Sequence, residues 1–169
     1  MVIVDTDRLI LRELSLEDAP FILELVNEPS WLRFIGDRGV RDLDGARAYL
    51  QNGPLASYAR HGFGLYKVEL REDGTPMGLC GLLKREALPD ADIGFAFFPR
   101  FWGHGYAREA AQAVLDFSKM KWGLTRILAI VNPENQSSIK LLEKLGFQFQ
   151  HMVRMPGEAA DVRLFALQF

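Results

Sequence analysis

Phe97-Phe98-Pro99-Arg100-Phe101-Trp102-Gly103-His104-Gly105-Tyr106-Ala107-Arg108-Glu109-Ala110 decides how this chain is read. An apolar, strand-like run from Ile93 to Phe98 stops at Pro99. A short loop punctuated by glycine follows, and a helical pattern starts near Tyr106. A strand that feeds a Gly-x-Gly loop into a helix N-terminus is a physical recipe for holding a phosphate. Glycine lets the backbone approach the anion, the first helical amides point outward, and the helix dipole favours negative charge. From the loop alone a second reading stands beside it, a tight turn with close helix packing.

The elements on either side build a mixed sheet. Upstream, Gly62 to Leu70, Met77 to Lys84 and Asp90 to Phe98 read as a three-strand meander with a hairpin turn at Glu72-Asp73-Gly74-Thr75. The near-continuous apolar run of the third strand predicts burial on both faces. Earlier still, Thr6 to Arg12 reads as a first strand. Ser15 caps a helix that runs to about Asn27 and ends at Pro29-Ser30. Trp31 to Arg41 reads as a connection. Asp42 or Asp44 then caps a second helix, Gly45 to Ser57. Downstream, the helix after the loop places Ala107, Ala110, Ala111, Val114, Leu115 and Ser118 on one face. Thr125 to Val131 is a strand and Gln136 to Leu145 a helix with Gly146 as its C-cap. Phe147 to Met155 and Asp161 to Phe169 form a closing hairpin. The expected fold is α/β (α+β), a mixed, mostly antiparallel twisted sheet with flanking helices in the order β-α-α-β-β-β-α-β-α-β-β.

Bulk composition narrows the class. The 169 residues are expected to form a single domain, 1–169, with a sizeable core. The net charge of −2 argues against a general attraction to nucleic acid or to anionic membrane. The single cysteine, Cys80, excludes an intrachain disulfide and suits a reducing, cytoplasmic setting. Met1 to Asp5 reaches an acid too early for a signal peptide, and no apolar run approaches the roughly 20 residues of a membrane span. His61, His104 and His151 are isolated, so no metal site is expected.

Two other phosphate loops fail. No Gly-x-x-x-x-Gly-Lys-Ser/Thr occurs. A dinucleotide fingerprint needs Gly or Ala where Arg108 stands, and an acid near Thr125, where none stands. The segments around the loop carry a resemblance instead. Asp92-Ile93-Gly94-Phe95 followed by Trp102 to Ala110 resembles motif A of the GNAT acetyltransferase superfamily. Asn132-Pro133-Glu134-Asn135-Gln136-Ser137-Ser138-Ile139, running on to Glu143-Lys144-Leu145-Gly146-Phe147, resembles its motif B. Thr6-Asp7-Arg8-Leu9-Ile10-Leu11-Arg12 is similar to the N-terminal signature of the RimJ/RimL-like branch. That branch includes acetyltransferases of ribosomal-protein α-amines and of small amines. The three segments, in order, cover essentially the whole chain.

The resemblance implies an acyl-CoA N-acyltransferase-like domain using acetyl-CoA. The backbone amides of Gly103, His104, Gly105, Tyr106 and Ala107 would bind its pyrophosphate, with Arg108 as a cation. Trp102 departs from the family's Gln/Arg and is read as removing a side-chain donor. The pantetheine arm would pair with the backbone from Phe95 to Phe98, so Phe97 and Phe98 count as cofactor-binding, with an amide near Phe97 as the oxyanion donor. Asn135 matches the asparagine that contacts the CoA arm, and Ser138 faces the same way. Asp92 matches the acidic position before Ile-Gly and is the leading general base; Glu69 and Tyr66 are the alternatives. The family's tyrosine acid falls on Leu142, which donates no proton, leaving Tyr106, Ser138 and Cys80 as candidates. Glu109 is read as structural. Trp31 and Phe34, with Arg33 and Arg154, are expected to line the acceptor pocket. The acceptor is an amine, either a protein N-terminus or a small molecule. Monomer and homodimer are both open, since the terminal hairpin exposes strand edges. Two other functions stay open: a CoA-binding sensor without turnover, and a site for another phosphate ligand.

Overall fold

Residues 1–169 are described by a computed structural model. The strands are β1 (Val2–Asp5), β2 (Leu9–Arg12), β3 (Leu65–Leu70), β4 (Pro76–Leu83), β5 (Asp92–Phe97), β6 (Arg126–Val131), β7 (Gln148–Val153) and β8 (Val162–Gln168). The helices are α1 (Ala19–Leu25), α2 (Pro29–Phe34), α3 (Leu43–Leu50), α4 (Ala56–His61), α5 (Tyr106–Trp122) and α6 (Gln136–Lys144). All eight strands join one sheet in the order β1-β2-β3-β4-β5-β6-β8-β7. Every pairing is antiparallel except β5–β6. This is the expected mixed α/β architecture.

Two expectations are corrected. Val2–Asp5, not expected as a strand, pairs with β2. Pro29 does not simply end a helix. It opens α2, because a first helical residue needs no amide donor and its φ suits the position. The 31–41 connection is therefore helical as far as Phe34. The helix expected over 45–57 is α3, capped by Asp42 through a 2.7 Å bond from the Gly45 amide. It passes through a π turn at Gln51–Leu55 into α4. The turn absorbs Pro54, which has no amide to donate.

Helices cover both faces. Ala110, Ala111, Val114 and Leu115 of α5, with Ile139 and Leu142 of α6, pack on Tyr66, Met77, Cys80, Ile93 and Phe97. Alanine dominates the first turns of α5, so its axis sits close to the strands. On the other face Phe21, Ile22, Leu25, Trp31, Ala46 and Leu50 pack on Leu79 and Phe98. Phe98 meets Phe21 edge-on, with centroids 5.9 Å apart, which anchors the exit of β5 to α1. A third cluster packs Leu88, before β5, against Leu128, Leu164 and Ala166. Burial of β5 on both faces holds at its ends only. Gly94, Phe95 and Ala96 stay half-buried, because the neighbouring strand falls away from them.

The approach of β4 to β5 is tight. A β-carbon on Gly78 would lie 2.2 Å from the Ala96 carbonyl oxygen and 2.8 Å from the Phe97 α-carbon. Backbone atoms cannot yield as a side-chain tip can. Gly78→Ala is expected to cost about 3 kcal/mol or more, at the upper end of overpacking penalties. Urea denaturation of the two proteins measures it; a loss below about 1 kcal/mol contradicts so close a contact.

Candidate cofactor and active site

Strands β5 and β6 are registered at one pair, Asp92 with Leu128, reinforced by a 2.9 Å bond from the Leu128 amide to the Ala91 carbonyl. Beyond that point they diverge. The Phe98 amide bonds the Met77 carbonyl at 3.0 Å, so the alternation of an antiparallel ladder turns even-numbered β5 residues toward β4. The odd-numbered amides, those of Phe95 and Phe97, face the opening. The result is a wedge with backbone donors on one wall, Asp92 at its apex and the glycine loop at the end of its β5 wall. Asp92 and Phe97 are five residues apart, about 16 Å of extended strand.

The loop has the features an anion needs. Gly103 and Gly105 take φ of +79° and +80°, the left-handed region that favours glycine. None of the amides from Gly103 to Arg108 donates a hydrogen bond within the protein, and the first α-helical bond at this end runs from the Glu109 amide to the Gly105 carbonyl. Six unpaired donors thus cluster at the positive end of a 17-residue helix. Arg108 is exposed in the first turn. Trp102 is 51% exposed, and its indole N–H donates to the Phe97 carbonyl at 3.0 Å. The expectation that this position lost its donor is therefore corrected: the donor is present and is used on β5.

Residues far upstream hold the loop. Glu109 accepts from the Thr6 hydroxyl, from the Arg8 amide at 3.1 Å and from Arg8 Nε at 2.7 Å. Burial works to raise its carboxyl, but the bonds from Thr6 and Arg8 outweigh burial and hold it below the usual range. Its structural reading stands. The sequence reading gave Thr6 and Arg8 no role at the loop.

Asp92 is 1% exposed. Burial pushes its carboxyl up to about 6, against the opposing pull of Arg85, whose Nε lies 3.1 and 3.2 Å from the two carboxylate oxygens. Arg85 was missed, since nothing in Lys84-Arg85-Glu86 marks it locally. Tyr49 packs on the same core cluster as Ala96, on the α1–α4 side of the sheet; burial raises its phenol, while Arg38 and Arg85 work the other way. The alternative bases are less free. Glu69 is bound by Arg12 at 2.9 Å and Lys67 at 3.2 Å. Tyr66 is buried, which pushes its phenol up to about 12. Among the candidate acids, Cys80 lies in the core under α5 and burial raises its thiol far above the usual range. Tyr106 lies under the Arg8 guanidinium, 4.3 Å from the ring centre, at the loop end of β5.

At the mouth of β6, Asn135 caps α6 by accepting from the Ser138 amide at 3.2 Å. Its amide nitrogen donates to nothing in the protein, so capping leaves that group free. Ser138 is half-buried beside it. Leu142 is buried in the core. Of the expected acceptor residues, Trp31 is packed in the α1–α3 core with its indole N–H unpaired, whereas Phe34 is half-buried with Arg33 4.7 Å above its ring. Arg33 reaches Glu134 beside the α6 cap at 3.8 Å, and Arg154 pairs with Asp161 at 2.9 Å across the terminal turn.

Comparison with known proteins fits this geometry. A GNAT acetyltransferase domain matches residues 8–148, which include Arg8, the wedge, the loop and α6. The chain belongs to the GNAT acetyltransferase family. It is 31% identical over 170 residues to the uncharacterized N-acetyltransferase p20 of Bacillus licheniformis, covering 96% of this chain and 93% of that protein. It is 25% identical over 141 residues to the spermidine N(1)-acetyltransferase of Escherichia coli (strain K12), covering 83% and 73%. Among solved structures, the GNAT acetyltransferase of Bacillus anthracis aligns with TM-score 0.80 and 25% identity over 99% of this chain and 98% of that one. The RimL ribosomal L7/L12 α-N-protein acetyltransferase, solved with coenzyme A, aligns with TM-score 0.84 over 99% and 98%, at 19% identity. That last likeness is one of fold.

Two stability measurements follow from the carboxylates of this GNAT site. Asp92 titrates higher folded than unfolded, so the native state holds the extra proton between the ordinary 3.8 and about 6, and its contribution to stability is lost as pH rises through about 6. Asp92→Asn is therefore expected to gain in melting temperature relative to wild type between pH 5 and pH 8; a constant difference contradicts the buried-charge account. Glu109 is the opposite case. Its bonds stabilise above its unfolded value of 4.5 and are lost in acid. Glu109→Gln is expected to melt lower than wild type at pH 7, with the gap closing as pH falls below 4.5.

Proposed function

We propose that this GNAT protein transfers an acetyl group from acetyl-CoA to an amine by direct attack. The observation that carries the reading is the opened edge of β5, with unpaired amides leading from the glycine loop toward a buried carboxylate. A pyrophosphate meets the amides of Gly103 to Ala107, with Arg108 beside them. The pantetheine arm extends the sheet along Phe95 to Phe98, and the free nitrogen of Asn135 serves it from the β6 side.

The chemistry follows from the wedge. A neutral amine attacks the thioester carbonyl, whose oxygen gathers negative charge near the Phe95 and Phe97 amides. Asp92 takes the amine proton, directly or through one water; a carboxylate near 6 is mostly ionised at neutral pH yet more basic than an exposed one. Arg85 keeps it oriented. The thiolate leaves unprotonated, since Leu142 offers no proton and thiolate is a tolerable leaving group. The N-terminal signature and the RimL-like fold favour the RimJ/RimL-like branch, whose acceptors are protein α-amines and small amines. Leu142 favours a second reading, a CoA sensor without turnover.

Acetyl-CoA at 1 mM (on the order of 100 times a Kd of about 10 μM) is expected to raise the melting temperature by several degrees, and Gly105→Glu to abolish the shift. No shift in the wild-type protein removes the CoA reading. Thiol release across a panel of peptides and amines separates enzyme from sensor. Asp92→Asn is expected to lower turnover about 100-fold or more while leaving the acetyl-CoA shift intact. An unchanged rate removes Asp92 as the base.

A further inference from the structure

The phosphate loop is not held by its own neighbours. Arg8, in the turn between β1 and β2, reaches it across roughly a hundred residues of sequence with a forked grip. Nε bonds Glu109 Oε1 at 2.7 Å and Nη1 bonds the His104 carbonyl at 3.0 Å. The guanidinium plane covers the Tyr106 ring at 4.3 Å, and Nη2 would lie 3.5 Å from a β-carbon on Gly105. Glu109 is fixed in turn by Thr6 and by the Arg8 amide.

The consequence is a matter of peptide geometry. In a trans peptide the carbonyl and the following amide point in opposite directions. A guanidinium that pulls the His104 carbonyl toward the β1–β2 turn turns the Gly105 N–H the other way, away from the clamp. We propose that Arg8 is the positioning residue of the cofactor loop: it presets the Gly105 amide for the CoA pyrophosphate and neutralises Glu109, the one acid in the first turn of α5. The inference rests on the CoA reading above and adds to it a residue that touches the loop rather than the reacting atoms. Geometry carries it more than charge. A lysine brings one cation but not divergent donors fixed in one plane, so it cannot hold Glu109 and His104 together over the Tyr106 ring.

The test compares wild-type protein, Arg8→Lys and Arg8→Gln, with CoA as the probe. Isothermal titration gives the affinity, and 15N-resolved NMR follows the Gly105 and Tyr106 amides. Both variants are expected to bind CoA at least about tenfold more weakly. In both, the Gly105 amide moves in the free protein and its CoA-induced shift shrinks, while amides of β7 and β8 keep their positions. Arg8→Lys within about twofold of wild type overturns the positioning role and leaves only a Coulombic one. An unmoved Gly105 amide with reduced affinity also overturns it. Wild-type protein that fails to bind CoA brings down the CoA reading itself, and this inference with it. Wild-type binding with unaffected variants brings down this inference alone.

Discussion

The single registered pair between β5 and β6, Asp92 with Leu128, is the constraint on which the site depends. An ordinary parallel ladder would satisfy the β5 edge along its length and leave nothing for a ligand to bind. A complete separation would give two sheets with no common geometry. One pair keeps the halves registered while freeing the donors beyond it. The packing around the pair maintains the divergence. Phe98 pins the exit of β5 to α1 through Phe21, while Leu88 ties the approach to β5 to the β6–β8 side. Unpaired backbone donors half-open to water cost far less than buried ones, which is why such an edge persists without a partner.

The second requirement is a loop that waits in the right shape. Two left-handed glycines allow the conformation, but permission is not selection, since glycine allows many others. Selection comes from outside the loop, through the Thr6–Arg8 segment, while the Trp102 indole within the loop ties it back to the strand. The first acts on the loop carbonyl and the first turn of α5. The second acts on the last carbonyl of β5. Loop and strand are thus fixed by separate side chains, each through a backbone oxygen.

Much of the fold was legible because its signals are local. Ser15 before Glu17-Asp18, Asp42 (one of two candidates, with Asp44) before α3 and Gly146 after α6 each act within a few residues; the structure uses Asp42 and Gly146 as caps, while Ser15 caps a single 3-10 turn that leads into α1. Pro29 misled because the same residue ends one helix and starts another, and only packing decides which. Val2–Asp5 is too short to show an alternating pattern. At the candidate site, the loop and Asn135 were proposed from spacing and family likeness. The contacts that organise them could not be. Arg8 to Glu109 and Trp102 to Phe97 leave no periodic trace, and the pairing of Arg85 with Asp92 depends on how the turn between two strands folds back. The burial of Asp92, which sets its basicity, belongs to the assembled molecule and not to any window of sequence.

The Trp102 indole has an optical consequence. Of the three tryptophans, Trp31 is buried and Trp122 lies edge-on between Phe63 and Phe117, whereas Trp102 is half-open to water and bonded to the carbonyl that ends β5. Indole emission shifts with solvent contact and with the partner of its N–H. The molecule therefore carries a native fluorophore at the junction of strand and loop, able to register occupancy of the wedge without a label.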